Sequence, residues 1–331
     1  MRFLLELSGE HPTLPAAEAL AALEVQGPVR EDARDGTLLA AEGAGDATWM
    51  GHRLGLAHAI SEPLARVPAE PKAILDAVAQ HAARVGPVFR VRAHRVGEHG
   101  RGLRPSALER DAGALLAEGR RVDMDGPADE VRLLLAEEAW VALLRARIDR
   151  TLFDARHVKR RPFFSPVSLH PRFARAMVNL ARIKEGDRVA DPFAGTGGVL
   201  VEAGLVGAKV VGADADADMA AGARGVLEHY GIAGEVLVGD VAASLARAGP
   251  FDAIVTDPPY GRSSSTLQEP PAKLYARALP AIRDALRPGG RAVVVLPTSD
   301  VPLPPGLELE QRHTQRVHRS LDRHYCVLRR A

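Results

Sequence analysis

Cysteine is nearly absent from this 331-residue chain. Its single copy, Cys326, excludes an internal disulfide and fits a reducing compartment. Twelve histidines are present, but none stands at zinc-like spacing with cysteine, so no metal site is expected. No Gly-x-Ser-x-Gly elbow and no Gly-Lys-Ser/Thr phosphate loop occurs. Long apolar runs are missing too: nothing approaches the ~20 residues of a membrane-spanning helix. The start, Met1-Arg2-Phe3-Leu4-Leu5-Glu6, is too short an apolar stretch for a secretion signal. A soluble cytoplasmic protein is expected. Net charge is only +1, so affinity for nucleic acid must come from local patches. What is present is ordinary globular material, 46% hydrophobic and 26% charged, long enough for two or three domains.

The first part reads as an α+β unit. Residues 3–7 form a strand, 15–23 a helix with Thr13 as a candidate N-cap, and 38–42 a weak strand. Residues 49–59 carry mixed signals, and 71–83 make an amphipathic helix. Residues 87–96 alternate with period two, which predicts a half-buried strand whose outer face is arginine. On it lie Arg90, Arg92 and Arg95, with Arg101 and Arg104 just beyond. A helix over 105–118 follows, then two strands over 131–135 and 140–144. Residues 145–161 are rich in Arg and Lys, ending in Lys159, Arg160 and Arg161. This basic stretch suits contact with phosphate, although a plain solvated linker has the same composition.

From residue 162 strands and helices alternate, the mark of a doubly wound α/β domain. Helices are expected at 172–183, 199–205, 218–229 and 273–286, with strands at 188–190, 209–213, 235–238, 251–256 and 291–296. Two last strands fall at 307–318 and 324–329. Asp191-Pro192-Phe193-Ala194-Gly195-Thr196-Gly197-Gly198 follows the first of these strands and opens a helix. Glycines there let a ligand approach the backbone, and a helix start offers N–H groups. A dinucleotide fingerprint would place a third glycine where Leu200 stands. Asp191 would also repel a pyrophosphate, whereas it suits a cation. Asp214 follows the next strand, where an acid can bind ribose hydroxyls. Asp240 follows the third, where it can accept from an adenine amine. An adenosine with a zwitterionic, phosphate-free tail fits, and S-adenosylmethionine is such a ligand. Each acid alone could instead be a helix N-cap.

Thr256-Asp257-Pro258-Pro259-Tyr260-Gly261 ends the fourth strand, because neither proline has an N–H for a ladder. Asp257 and the Pro258 carbonyl can accept from a planar exocyclic amine, and Tyr260 offers a flat face for a flipped base. With Pro259 these are the candidate catalytic residues. A proline-stiffened turn with a capping Asp is the plainer alternative.

These residues carry a resemblance. Arg161-Pro162-Phe163-Phe164-Ser165-Pro166, the 191–198 loop and the 256–261 run together resemble the archaeal tRNA guanine-N2 methyltransferases acting at position 10. Residues 88–95 and 122–144 resemble a THUMP domain, that family's RNA-binding module. The resemblance implies a class I methyltransferase sheet with an N-terminal α+β, ferredoxin-like/THUMP RNA-binding region. The boundaries it implies are an α+β subdomain at 1–60, THUMP at 61–147, a basic linker at 148–161 and the methyltransferase domain at 162–331. It implies S-adenosylmethionine held by Asp191, Pro192, Phe193, Ala194, Gly195, Thr196, Gly197, Asp214, Asp240 and Asp257, with Phe164 and Ser165 over its methionine end. The expected product is N2-methylguanosine or its dimethyl form in tRNA, made by a monomer. Relatives in eukaryotes work with a small partner, and the need for one is left open here. The competing readings are an adenine-N6 DNA methyltransferase, a non-catalytic RNA-binding protein of the same fold, and a nicotinamide-dependent oxidoreductase.

Overall fold

The computed structural model describes residues 1–165, 168–259, 269–318 and 321–331. Its strands in chain order are β1 (Arg2–Leu7), β2 (Val29–Asp35), β3 (Leu38–Gly43), β4 (Ala57–Pro68), β5 (Val88–Arg95), β6 (Arg121–Val122), β7 (Asp129–Leu135) and β8 (Glu138–Arg147), then β9 (Arg188–Asp191), β10 (Lys209–Asp214), β11 (Gly234–Val238), β12 (Phe251–Thr256), β13 (Leu286–Leu296), β14 (Leu307–His318) and β15 (Leu321–Arg330). The helices are α1 (Leu14–Glu24), α2 (Ala47–Arg53), α3 (Pro71–Gln80), α4 (Pro105–Leu116) and α5 (Thr151–Ala155), followed by α6 (Pro171–Leu180), α7 (Gly198–Leu205), α8 (Ala217–His229), α9 (Val241–Ala248) and α10 (Pro271–Ala285). No described helix is long and apolar enough to cross a membrane.

The chain divides into two compact units. One comprises Met1–Glu10, Gln26–His52 and Ala57–Asp149; the other comprises His11–Val25, Arg53–Leu56 and Arg150–Ala331. The division differs from the sequence expectation in two ways. The expected boundary at residue 60 falls inside β4, and α1 belongs with the later unit.

The first unit is built on an eight-stranded sheet ordered β2-β3-β1-β4-β8-β7-β5-β6. The expected hairpin of β7 and β8 is present, antiparallel with Leu133 opposite Val141. Helices α3 and α4 contribute Ile74, Val78, Leu108 and Leu116 to an apolar core with Phe89, Val91, Leu133 and Leu143. The alternation read in β5 is therefore real: Phe89, Val91 and Ala93 point into this core.

The second unit holds a seven-stranded sheet ordered β11-β10-β9-β12-β13-β15-β14. Strands β11, β10, β9, β12 and β13 are mutually parallel, and β15 lies antiparallel between β13 and β14. This is the expected doubly wound class I methyltransferase arrangement. The order reverses direction between β9 and β12, which opens a crevice at the carboxyl ends of these strands. Strand β13 starts at Leu286, earlier than expected, because Leu286 already pairs with Phe251 across a register shift.

Helix α1 joins this second unit through apolar and polar contacts. Leu14, Ala21 and Leu56 enter a core with Ala174, Met177 and Val178. Glu18, fully buried, accepts from the N–H groups of Gly55 and Leu56 and from Asn179 Nδ2, each at 2.8 Å. Burial pushes its carboxyl up to about 7, against the pull of those donors and of Arg175. Thr13 does not cap α1 as expected. His11 Nδ1 accepts from the N–H groups of Thr13 and Leu14, while the Thr13 hydroxyl meets His313 Nδ1 at 2.8 Å. The stretch expected as a linker, 148–161, is partly structured: Phe153 is buried, and Arg156 pairs with Glu202 at 2.7 Å.

Candidate active site

Four acids stand at the carboxyl ends of four neighbouring strands: Asp240 two residues past β11, Asp214 ending β10, Asp191 ending β9 and Asp257 just past β12. Three strand spacings of ~4.8 Å set them across about 14 Å, enough for a nucleoside and its tail.

Asp191 is the buried centre of the row, 2% exposed. One of its oxygens accepts from the Thr256 hydroxyl at 2.6 Å and from the Phe193 N–H at 3.1 Å. Burial pushes its carboxyl up to about 7; the two donors oppose this, and the charges of Asp214 and Asp257 add to it. The charges of Asp214 and Asp257 thus bear directly on the buried Asp191 carboxyl. Asp214 accepts from the Gly195 N–H at 2.8 Å and the Asp216 N–H at 3.0 Å. Burial holds its pKa above the usual carboxylate range in spite of them.

The glycine loop is shaped by backbone angles that side chains resist. Gly195 and Gly197 have φ of 49° and 77°, the left-handed region open to glycine. Leu200, which excluded the dinucleotide fingerprint, has its own accommodation: a Cβ on Gly212 of β10 would stand 2.6 Å from the Leu200 side chain. Helix α7 therefore packs closely on the sheet with the small residue supplied from the strand. Thr196 is 4% exposed, and its hydroxyl lies 3.0 Å from that of Ser168, which donates to the Ser165 carbonyl at 2.9 Å. Ser168 was not singled out in the sequence. It ties the segment bearing Ser165 to the glycine loop, while Phe164 is exposed.

Asp240 does serve as the N-cap of α9, accepting from the Ala242 N–H at 2.9 Å, and it also forms an ion pair with Arg277. Burial pushes its carboxyl up, but the Ala242 N–H and Arg277 hold it below the usual range. Asp216 caps α8, accepting from the Asp218 and Met219 N–H groups. At the Asp257-Pro258-Pro259 turn, Pro258 is buried and Asp257 and Pro259 are half-buried. The expectation for Tyr260 lies outside the described residues.

The candidate RNA-contacting cations divide sharply. In the first unit Arg90 is held by Glu130 at 2.8 Å and by the Met124 carbonyl at 2.6 Å. Arg147 and Arg132 share the same Glu130, which is nearly buried. Arg95 donates to the carbonyls of Gly100 and Leu103, and Arg101 pairs with Glu98. The side chains of Arg92, half-buried, and Arg104, exposed, have no hydrogen-bond or ion-pair partner among the described residues. In the second unit Lys159 and Arg160 are exposed. Arg161 departs from the expected surface role. It is 5% exposed, donates to the Arg156 carbonyl at 2.9 Å and packs over Gly198 at the start of α7.

A family model described as "UPF0020: RMKL-like, methyltransferase domain" matches residues 158–324. The tRNA (guanine(10)-N2)-dimethyltransferase of Methanothermobacter thermautotrophicus is 36% identical, covering 100% of both chains. The enzyme of that name from Pyrococcus abyssi is 35% identical over 67% of this chain and 68% of that protein. The crystal structure of TrmN from Thermus thermophilus matches with a TM-score of 0.57 at 26% identity, covering 100% of each chain. With its acid row and glycine loop on a class I methyltransferase sheet, the chain belongs to the tRNA (guanine(10)-N2)-dimethyltransferase family.

Proposed function

We infer that the protein is an S-adenosylmethionine-dependent tRNA methyltransferase that methylates the exocyclic N2 of guanosine, at position 10. The observation that carries this reading is the pairing at the switch point: buried Asp191 ends β9, and Asp257 with its two prolines ends the adjacent β12. One strand end suits a cationic donor and the other an amine.

The residues present fit the donor by their chemistry. Asp191 and Asp214 are carboxylates whose pKa values are raised by burial, a state that binding of a cation relieves. The glycine loop leaves its backbone open to close approach. When bound, S-adenosylmethionine supplies a methyl carbon made electrophilic by its sulfonium. The chain supplies the rest. Asp257 and the Pro258 carbonyl accept from the N2 hydrogens of a flipped guanosine and aim the nitrogen. The carboxylate offsets the positive charge that grows there as the new N–C bond forms and the carbon–sulfur bond breaks to leave S-adenosylhomocysteine, until N2 releases its surplus proton to solvent. Tyr260 is assigned the stacking face. Arg92, Arg104, Lys159 and Arg160 are the side chains best placed to take tRNA phosphates, and the 61–147 region acts as the THUMP-like grip. The protein works in the cytoplasm in this reading.

The adenine-N6 alternative asks the same of Asp257, but the relative that matches over its full length carries a name that specifies tRNA guanine N2. The test is mass spectrometry of nucleosides from guanosine-10 tRNA incubated with the protein and isotope-labelled methyl donor. N2-methylguanosine or N2,N2-dimethylguanosine at position 10 is expected. Label in N6-methyladenosine, or none in guanosine, would overturn the reading.

A further inference from the structure

Helix α10 carries no motif, yet its early turns touch both ends of the site. Tyr275, 3% exposed, donates its hydroxyl to the Pro259 carbonyl at 3.4 Å. Two residues on, Arg277 forks. Its Nη1 meets Asp240, while its Nε and Nη2 reach the Glu269 carboxylate at 3.1 and 2.8 Å. One helix thus holds the turn that presents the substrate amine and the acid placed at the adenine end of the donor.

We propose that Tyr275 and Arg277 are positioning residues, α10 serving as a brace that fixes Asp240 for the donor's adenine amine and the Pro258-Pro259 turn for the substrate amine. This rests on the proposed function. Asp240 is restrained at both oxygens, by the Ala242 N–H and by Arg277. Each carboxylate oxygen can accept a second hydrogen bond, so the acid stays able to receive an amine while it is held. The Arg277 side chain is 39% exposed and that of Asp240 46% exposed. Pairs this open add little to stability. What Arg277 contributes is orientation, its planar fork holding two carboxylates in one fixed geometry.

The two residues act on different steps, and that separates the brace from general structural support. Arg277→Gln is expected to weaken S-adenosylhomocysteine binding roughly fivefold, about the effect of one oriented charged contact, with an unchanged melting temperature. It is also expected to abolish the wild-type preference for that ligand over its deaminated inosine counterpart, which lacks the amine. Arg277→Lys, a point charge, is expected to recover part of both. Tyr275→Phe is expected to leave donor affinity unchanged and lower kcat on tRNA. Calorimetry with the full chain and steady-state methylation kinetics read these effects. Arg277→Gln with wild-type affinity and amine preference overturns the proposal, as does Tyr275→Phe with wild-type kcat. Parallel losses of affinity, kcat and melting temperature in both variants overturn it as well. The affinity measurements need no RNA. Wild-type protein that binds donor but leaves tRNA unmethylated therefore counts against the proposed function alone.

Discussion

Thr256→Val replaces a buried hydroxyl with a methyl of the same shape, so its effect falls on Asp191 rather than on packing. The hydroxyl donates to Asp191 at 2.6 Å, and Thr256 is 0% exposed. A hydrogen bond to a charged group is worth about 1.5–3 kcal/mol, and one pKa unit corresponds to ~1.4 kcal/mol. Loss of this donor should raise the Asp191 pKa from about 7 by roughly one to two units. A cationic donor needs the ionised carboxylate, so wild-type affinity for S-adenosylmethionine should rise with pH up to about 7 and then level off. In Thr256→Val the levelling point should move to roughly pH 8–9. Affinity should fall roughly 5- to 50-fold at pH 7, where the wild-type carboxyl is itself about half ionised, and return toward wild type at pH 9. Calorimetry from pH 6 to 9 measures both, and Thr256→Ser should track the wild type. A loss of equal size at pH 7 and pH 9, or no loss at either, would refute the idea that this hydroxyl sets the charge of Asp191.

Asp257→Ala should abolish methyl transfer, by 10²-fold or more if charge stabilisation is its role, while tRNA binding measured by filter retention stays nearly intact. Equal loss of both would remove it from the chemistry. Changing Arg104, Lys159 and Arg160 together to Ala should cut the slope of log affinity for tRNA against log salt by roughly 2–3, whereas Arg161→Ala should lower stability instead, since its side chain is buried. Glu18→Ala leaves two buried N–H groups without their acceptor and Asn179 Nδ2 with only the Arg53 carbonyl and should lower unfolding stability by about 3–5 kcal/mol in denaturant titration. Glu18→Gln, which keeps one acceptor, should lose less.

The parallel strands and the glycine loop were legible because their causes are local. An apolar run followed by Gly or Pro declares a strand end, and φ angles of 49° and 77° demand glycine. Strand β2 escaped notice because its sequence, VREDARD, is that of an exposed edge with no apolar period. The arginines of β5 read as free because Glu130, which occupies Arg90, lies 40 residues away in sequence. Arg160 and Arg161 look alike as neighbours in a basic run, yet one faces water and the other is covered. Only the packing over α7 tells them apart. Ser168, Tyr275 and Arg277 share the difficulty: each is an ordinary residue whose partner is near only in space.

Because residues 11–25 and 53–56 reside in the later unit, the polypeptide passes from one unit to the other five times. No single cut separates two complete halves. A fragment beginning at residue 150 would lack Leu14, Ala21 and Leu56 from its own interior and would leave Asn179 facing a hole where Glu18 belongs. On the ribosome the consequence is temporal: the first helix is made early but has no seat until α6, some 150 residues later, has followed it out.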